Sequence, residues 1–600
     1  MAKIGGITGK ILRVNLTAGT TSVENTPEEV IKKFLGARGL GAYYFDKEVT
    51  PKIEPFSADN KLYFMTGPTA ATLAPGNNKV TVTFKSPLTN SYSWALCGGF
   101  FGPEMKFAGY DGIIIEGKSE KPVYLWVDNG KAELKSAEKV WGKIIPDTEH
   151  AIRKELGQDE TIKMVCIGPA GEKLNRMACI TSDCYREFGR GGGGAIMGSK
   201  NLKAIAVRGA HDIDSVYPQK LKELTLEANE ILKGHPKAQA RRKYGTNEMV
   251  EGINNLGFWS TRNFTTGHFE EGHKLTGPKM KEEVLISDVS CYGCSISCSK
   301  YSLVNSKTYG KILLEGPEFE TVGLLGANCG VSSLEYILKA TEICDHYGFD
   351  TISAGATVSF AMECFEKGII TTADTDGIEL KFGNGAALVQ ILEKIAKREG
   401  FGDLLAEGVK IASEKIGAPE LAMHIKGLPF ATYDPRGCKG MALTYATSPK
   451  GAHHMVSPTM GPEIAGDRFA EEGKAPLVKE TQIFMSIVDS MALCASMRFA
   501  LSLEKQVKLY EAVTGLQFTN EDLMKTGERI LNLERMINVK EGFSRKDDKL
   551  PERFTKEPMP EGLAKGQTVN FEPMLDEFYA VMGWTKDGVP TPEKLKDLGI

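Results

Sequence analysis

The sequence predicts an α+β fold with its β structure first: a β-rich segment over residues 1–210, then two mostly α-helical domains over 211–417 and 418–600. Three observations carry this expectation. Short apolar runs of period two recur as far as Val207, and from about residue 215 the apolar residues recur at helical spacing. Gly417 and Pro419 then break the helical half near its middle. With 600 residues, 42% of them apolar, the chain can bury several cores.

Residues 62–65 precede the turn Thr66-Gly67-Pro68, and residues 79–84 alternate with period two. Residues 112–117 and 122–127 are short strands between turn residues, and 162–167 and 203–207 read alike. Between them lie glycine-rich stretches at 36–41, 98–102 and 189–194, all read as loops. Gly189-x-Gly191-x-x-Gly194 matches the dinucleotide fingerprint in letters only, because residues 182–188 are not a buried strand and no βαβ unit is evident. Its run of backbone amides, with Arg186 and Arg190 alongside, makes an anion cradle; the plainer alternative is a flexible surface loop. Helical periodicity follows over 219–233, 334–347, 352–367, 386–398, 403–415, 481–499, 504–513 and 520–538. The charged, Pro-rich tail from Lys546 reads as extended over the surface.

A net charge of −4 and a pI near 6.2 leave no nucleic-acid footprint in the bulk balance. No apolar run is long enough to span a bilayer, and the first ten residues lack an apolar secretion segment. Twelve cysteines in such a chain argue for reduced thiols, metal binding and a cytoplasmic home.

Cys291-x-x-Cys294-x-x-x-Cys298 is the strongest chemical signal. Zinc sites usually pair such a motif with a second close pair of Cys or His, and none follows here. A [4Fe–4S] cluster takes four thiolates, and three clustered cysteines with one distant cysteine supply them. Unpaired thiols in a loop are the plainer alternative. Residues 345–350 and 489–494 share the form Asp-x-x-small-apolar-(Asp/Cys), and the second copy ends in Cys494, a candidate fourth ligand.

Taken with Gly67-Pro68, residues 85–89, 98–102, 106–111, 167–171, 189–203, 315–320, 434–436 and 558–562, these motifs resemble the tungsten-containing aldehyde:ferredoxin oxidoreductases from end to end. The resemblance implies a β-rich saddle that holds two pterins and one tungsten, or molybdenum, with two helical domains closing over them. It implies Cys291, Cys294, Cys298 and Cys494 as ligands of a [4Fe–4S] cluster. It implies pterin contacts from Asp345, Phe349, Asp350, Asp489 and Leu493, with Phe349 in place of the usual Leu and Ala492 in place of the usual Gly. Arg186 matches a phosphate contact, and Lys79 stands where relatives carry Arg, keeping the charge but losing the bidentate fork. Leu96 and Glu187 match carbonyl ligands of a Mg2+ that bridges the pterin phosphates; Cys97, Gly98 and Gly189 belong to the same cofactor-binding stretches. Glu320 matches a carboxylate near the metal, His454 a histidine of the substrate pocket, and Tyr433 a neighbour. A lone Glu or His read without the resemblance is more often a satisfied structural group.

The implied reaction oxidises a small aldehyde to a carboxylic acid and passes electrons singly through the cluster to ferredoxin or an iron–sulfur partner subunit, in an oligomer. Lys339-x-x-Glu342 occupies the place of a Glu-x-x-His pair that shares iron between subunits in some relatives; Lys offers no lone pair, so no shared iron is expected. Two alternatives stand beside this reading. Residues 74–77, 123–126, 261–264 and 267–270 also resemble the active-site subunit of dearomatising class II benzoyl-coenzyme A reductases, for which Cys329 would bind metal and His268, Glu270 and His273 donate protons. The plain counterpart is a buried small hydrophobe and a polar loop. A non-catalytic iron–sulfur electron carrier would need the cluster but no substrate pocket.

Overall fold

The computed structural model describes residues 4–600. Its β structure up to Arg208 forms two mixed sheets. The first comprises β1 (Lys10–Asn15), β2 (Thr20–Asn25), β3 (Leu62–Thr66), β4 (Val80–Lys85), β5 (Tyr92–Cys97) and β6 (Gly112–Glu116), in the order β2-β1-β6-β3-β4-β5. The second comprises β7 (Val123–Asp128), β8 (Lys131–Ser136), β9 (Lys163–Cys166), β10 (Ile180–Ser182), β11 (Arg186–Phe188) and β12 (Leu202–Arg208), in the order β11-β10-β9-β12-β7-β8. Side chains alternate across a strand, so the two faces separate cleanly. Leu12, Val14, Leu62, Phe64, Val80 and Val82 meet Leu125, Val127, Val165, Ile205 and Val207 in one core between the sheets. Ile11, Tyr63, Met65 and Ile114 face the other way and pack under helix α1 (Ala37–Glu48).

The glycine-rich stretches are loops only in part: residues 98–100 and 189–192 are, whereas residues 37–41 are helical. Gly39 and Gly41 lie in the first turns of α1, where an added Cβ would stand 2.1 Å from the Phe34 carbonyl oxygen and 2.2 Å from Thr83 Oγ1. They let a helix lie close on a sheet, a packing demand that a pattern of letters does not distinguish from a turn. Residues 98–102 run into the helix Phe101–Phe107. Gly194 lies in the helix Gly193–Ser199, where a Cβ would meet the Cys179 carbonyl oxygen at 2.1 Å. Arg190 beside it is buried, donating to Asp350 at 3.3 Å and to the carbonyls of Ala452 at 2.8 Å and Pro429 at 2.6 Å. This stretch is therefore buried rather than a flexible surface loop.

After Arg208 the chain is largely helical. Helices α2 (Leu334–Tyr347) and α3 (Thr351–Glu366) fall where the periodicity places them. The segment 403–415 splits into Phe401–Leu405 and Val409–Ile416 at Gly408, whose φ is +85°. The segment 481–499 is also broken: α4 (Lys474–Ser490) stops at Ser490, Ala492 turns with φ +66°, and a 3-10 turn resumes over Ala495–Phe499. Helix α5 (Asn520–Glu541) begins with a capping box at Thr519 and Asp522, and its Ile530, Leu533 and Ile537 complete the core beneath α1. The tail is not merely extended. Helix α6 (Phe571–Met582) buries Phe571, Met574, Leu575, Phe578 and Met582, a stripe at helical spacing worth about 1.5–3 kcal/mol per fully buried large side chain.

A small antiparallel sheet, β13 (Leu285–Val289), β14 (Ser299–Ser306) and β15 (Gly310–Glu315), interrupts the helical part. One core runs through both helical segments, joining Val358 and Leu388 to Phe430, Tyr445 and Phe578. Among the described residues, no helix is long and apolar enough to cross a membrane.

Candidate active site and metal centre

Cys291, Cys294 and Cys298 occupy the connection between β13 and β14, closed below by the pair Val289↔Ser299. Cys494 comes from the turn after α4. A loop of the N-terminal region clasps the two. Gly76 N donates to the Gly293 carbonyl at 2.8 Å, Cys494 N donates to the Gly76 carbonyl at 2.9 Å, and Lys79 N donates to the Ala492 carbonyl at 3.2 Å. Asn78 Nδ2 adds a bond to the Tyr292 carbonyl at 2.9 Å. Burial pushes the Cys294 and Cys298 thiols up, and the nearby Cys494 and Cys291 push them further, so the four sulfurs share one neighbourhood. Among the described residues no three His, Cys, Asp or Glu side chains converge as they would on a single metal ion.

Two cations face these sulfurs. Lys79 is buried, which works against its charge, yet Cys494, Cys291, Cys97 and Cys298 hold its ammonium above its ordinary value. Arg186 donates through Nη1 to Cys291 Sγ at 2.6 Å and pairs through Nη2 with Glu315 Oε1 at 2.8 Å. Buried cations need anions. Lys79 has no carboxylate partner among the described residues, so the cysteine sulfurs are its counter-charge. Gly98 leaves room for these contacts: a Cβ there would stand 3.0 Å from Cys291 Sγ and 3.1 Å from Lys79 Nζ.

A cavity of about 360 Å³ opens beside the thiols. Lys79, Leu96, Gly189, Asp489 and Cys494 line one part of it, and Glu320, Tyr433 and His454 line another. Glu320 lies on the short helix Phe319–Thr321; its Oε2 accepts from Thr432 N at 2.9 Å. Its Oε1 stands 3.5 Å from His454 Nε2 and has no hydrogen-bond partner. Burial raises this carboxyl to about 7, against the lowering effects of the Thr432 N–H and Arg190. Burial, with Arg190 and Lys450, lowers His454 to about 3, so the imidazole is neutral; its Nδ1 is also unmatched. The Tyr433 ring lies 5.7 Å from the His454 ring, and its hydroxyl reaches only Met249 Sδ at 3.9 Å.

The other expected cofactor positions, Cys97, Gly98, Arg186, Glu187, Asp345, Phe349, Asp350 and Leu493, do not line this cavity. Asp345 is buried on α2 with Oδ2 unpartnered. Asp350 caps α3, accepting from Ile352 N at 3.1 Å and Ser353 N at 2.9 Å, and also takes the Arg190 contact. Glu187 accepts from Thr181 Oγ1 at 2.9 Å, and burial raises it to about 8, with Asp350 and Glu149 adding to the rise. Phe349 and Leu493 are buried in separate cores, and Cys97 Sγ donates to the Gly98 carbonyl at 3.2 Å. Arg186, expected at a phosphate, is engaged by Cys291 and Glu315.

Sequence reasoning missed the cationic wall. Trp94 lies between Lys450, 3.5 Å from its ring centroid, and Arg38, at 4.4 Å. Lys450 Nζ also donates to the Trp94 carbonyl at 2.7 Å. Arg38 pairs with Glu534 at 2.7 Å and with Asp489 at 3.3 Å; burial raises Asp489 to about 6 while Arg38 and Lys450 pull it down. No local signal marks these cations, because their partners come from distant segments.

The residues of the aryl-coenzyme A alternative lie elsewhere. Cys329 is buried and donates weakly to the carbonyls of Leu324 at 3.3 Å and Gly355 at 3.5 Å. His268 sits on a loop with Nδ1 3.3 Å from the Asn254 carbonyl, while Glu270 is exposed beside Arg262, and His273 is exposed. None of the four lines the cavity.

Comparison with known proteins finds relatives along nearly the whole chain. Residues 11–209 match the family description "Aldehyde ferredoxin oxidoreductase, N-terminal domain", and residues 223–600 match "Aldehyde ferredoxin oxidoreductase, domains 2 & 3". The chain is 43% identical to a tungsten-containing aldehyde ferredoxin oxidoreductase of Pyrococcus furiosus, covering 99% of this chain and 98% of the relative. It is 41% identical to the protein of the same name from Thermococcus kodakarensis, over 99% and 98%. A solved structure titled "Active site complex BamBC of Benzoyl Coenzyme A reductase in complex with 1,5 Dienoyl-CoA" contains a chain that superimposes with a TM-score of 0.85 at 26% identity, covering 99% of this chain and 97% of that one. The chain belongs to the aldehyde ferredoxin oxidoreductase family.

Proposed function

We propose that this protein oxidises small aldehydes to carboxylic acids at a tungsten, or molybdenum, bis-pterin, and delivers the electrons one at a time through a [4Fe–4S] cluster to ferredoxin or an iron–sulfur partner subunit. The observation that carries the reading is a single cavity lined both by Cys494 and Lys79 of the thiol group and by the Glu320–His454 pair. Cys291, Cys294, Cys298 and Cys494 would hold the cluster. The unpartnered Asp345 oxygen, with Asp350 and Asp489, would supply acceptors suited to the amino edges of pterins, and Lys79 and Arg186 would offset negative charge there. Mg2+ at the carbonyls of Leu96 and Glu187 fits the arrangement of β5 and β11, two edge strands that lie against each other. When bound, the metallopterin accepts an electron pair and the cluster passes it on singly. The reading divides the chain at about residues 210 and 417.

Aldehyde plus water gives carboxylic acid, two electrons and two protons. Glu320, with a carboxyl near 7, is poised to take one of those protons at neutral pH. His454, neutral and on the cavity wall, orients the carbonyl by hydrogen bonding, and Tyr433 closes that wall with its ring. The apolar neighbours Phe319, Met249 and Met460 exclude water from the reacting end. Anaerobic preparation, metal analysis and a viologen assay test this: tungsten or molybdenum with iron, and aldehyde-dependent reduction, are expected. Iron alone would support a simple electron carrier. Turnover of an aryl-coenzyme A instead of aldehydes would support the reductase alternative, which the positions of Cys329, His268, Glu270 and His273 disfavour.

A further inference from the structure

We propose that a small acidic iron–sulfur carrier docks in the groove between the helices Pro218–Gly234 and Pro236–Tyr244, over the outer wall of the thiol loop, where Lys233, Arg242 and Lys243 hold its carboxylates and Leu73 and Leu226 meet its apolar surface. The inference rests on the aldehyde-oxidising reading and adds the place where the electrons leave. The groove measures about 320 Å³, and Ser295 and Ile296, which follow Cys294 directly, form one wall of it. Ser295 is exposed, and its hydroxyl donates to Asn229 Oδ1 at 2.9 Å, which ties the thiol loop to the first of these helices. Ile296 packs inward beside the half-buried Cys294, Cys298 and Cys494. The second helix separates two openings at this point: its Arg241 lines the catalytic cavity, and its Arg242 lines the groove.

The charges here run against those of the chain. Residues 218–244 carry seven Lys or Arg against three Glu, whereas the whole chain has a net charge of −4. The three carboxylates are engaged close by: Glu223 accepts from Gln219 at 3.0 Å, Glu227 pairs with Lys505 at 2.8 Å, and Glu230 stands 3.9 Å from Lys233. Arg241 turns inward, to Ser496 Oγ at 2.8 Å and toward Glu248 at 3.6 Å. Gln239, Arg242 and Lys243 share the outward side at helical spacing, beside the buried Ala238. Arg242 and Lys243 are exposed and form no ion pair among the described residues; Lys243 overlies its neighbour Tyr244, 4.9 Å from the ring centroid. Free cations on the rim of such a groove steer an acidic partner toward it and fix its register.

An apolar contact lies one turn further along. Leu226, Asn229, Glu230 and Lys233 form one stripe of the helix Pro218–Gly234, so Leu226, 57% exposed, continues the side of that helix that lines the groove. Leu73 is 59% exposed, and Thr225 Oγ1 donates to its carbonyl at 2.9 Å. Leu73 thus belongs to the loop whose Gly76 bonds Gly293 and Cys494. Two exposed leucines within a charged rim have the anatomy of a transient protein interface. Each docking passes one electron from the reduced cluster to an oxidised carrier, so two carriers leave reduced for each aldehyde oxidised, and the two protons go to solvent.

The test measures binding and turnover of an acidic ferredoxin with the loaded enzyme, for the wild type, Arg242→Glu/Lys243→Glu, Leu226→Ser and a control. The control, Lys121→Glu/Lys131→Glu, reverses two exposed cations beside β7 and β8, at the opposite edge of the second sheet from β11. By calorimetry, the ferredoxin Kd should rise about 10–100-fold in Arg242→Glu/Lys243→Glu at low salt, and the difference should shrink at high salt. Leu226→Ser should raise Kd about tenfold at either salt, as for a lost apolar contact. The ferredoxin KM in aldehyde oxidation should rise in step, with viologen-linked turnover unchanged, because a small dye needs no docking surface. An unchanged Kd in Arg242→Glu/Lys243→Glu overturns the proposal. So does an equal loss in the control, which would make net charge the cause, or a parallel fall in viologen-linked turnover, which would place these residues in the reacting machinery. If the wild type oxidises no aldehyde with viologen, the aldehyde-oxidising reading fails, and the calorimetric comparison still decides whether the surface exists.

Discussion

Glu320 shows what a residue's letter hides and its surroundings reveal. In the sequence it is one carboxylate after a Gly-Pro breaker; in the fold it is buried beside a neutral histidine with one oxygen unmatched. Glu320→Gln keeps the size and the Thr432 bond but cannot take a proton. A fall in kcat of about 10²–10⁴-fold is expected, as for a lost general base, with tungsten and iron contents unchanged. Because the ionised form is the active one and the carboxyl sits near 7, kcat/KM of the wild type should rise with pH through about 7 and level off above it. The stability sign is opposite. A carboxyl raised in the folded state favours folding while protonated, and that contribution is lost as pH rises from the ordinary Glu range through about 7. The cofactor-free wild type should therefore lose stability relative to Glu320→Gln between pH 5 and pH 8, as thermal unfolding would show. His454→Asn should instead lower kcat/KM about tenfold, one hydrogen bond's worth, with little change in the pH profile. Full turnover in Glu320→Gln would remove the base assignment. The same scale explains a departure from the family pattern. Ala492 sits at φ +66°, where an L-residue costs about 1–2 kcal/mol relative to glycine. Its methyl packs against Ala37 and Ala70, and burying it returns about 0.8 kcal/mol, so this chain tolerates alanine there.

Among the elements, legibility followed local pattern. Strands β3, β4, β6, β7, β9 and β12 were readable as short apolar runs bounded by turn residues, and helices α2 and α3 as longer stretches of helical spacing. Helix α1 was not, because its glycines report contact with Thr83 and Phe34 rather than backbone freedom. Sheet β13–β15 was missed because its apolar residues, such as the exposed Ile286 and Leu313, do not alternate with burial, although the cysteines in its first connection were the clearest signal in the chain. Helix α6 was hidden in a tail whose charges and prolines mask an apolar stripe. The same logic governs the thiol loop. Cys494 follows a broken helix, and its partners lie in that connection, so Cys494→Ser should leave three sulfur ligands; loss of iron or a three-iron spectrum is expected. Unchanged iron, sulfide and visible spectrum would exclude Cys494 as a ligand. On α2, Lys339 Nζ pairs with Glu342 at 2.7 Å within one turn, occupying the carboxylate with its own neighbour. No iron shared between subunits is expected on this helix, and iron found there in a purified oligomer would refute it.

At the scale of the whole molecule, the last part of the chain closes over the first. Arg38 on α1 meets Glu534 on α5 through two bonds, at 2.8 Å and 2.7 Å, and both side chains are fully buried. Breaking a buried pair leaves a lone charge, so Arg38→Met should destabilise the protein by about 3–5 kcal/mol, read as a lower urea midpoint. A midpoint unchanged from wild type would mean that the pair adds nothing to closure. Trp94, Lys450, Arg38 and Asp489 could not be foreseen as neighbours, since only the closed chain brings them together. The Gly76 clasp carries a consequence for biosynthesis. It joins the Gly293 carbonyl to the Cys494 amide, so the pocket wall is finished only when the segment around residue 494 has left the ribosome. Roughly 200 residues separate the three-thiol loop from Cys494, which is about 10–40 s of synthesis at 5–20 residues per second. During that interval the nascent chain presents an exposed three-thiol loop and an uncovered sheet, a window in which delivery of a bulky prosthetic group meets no steric barrier.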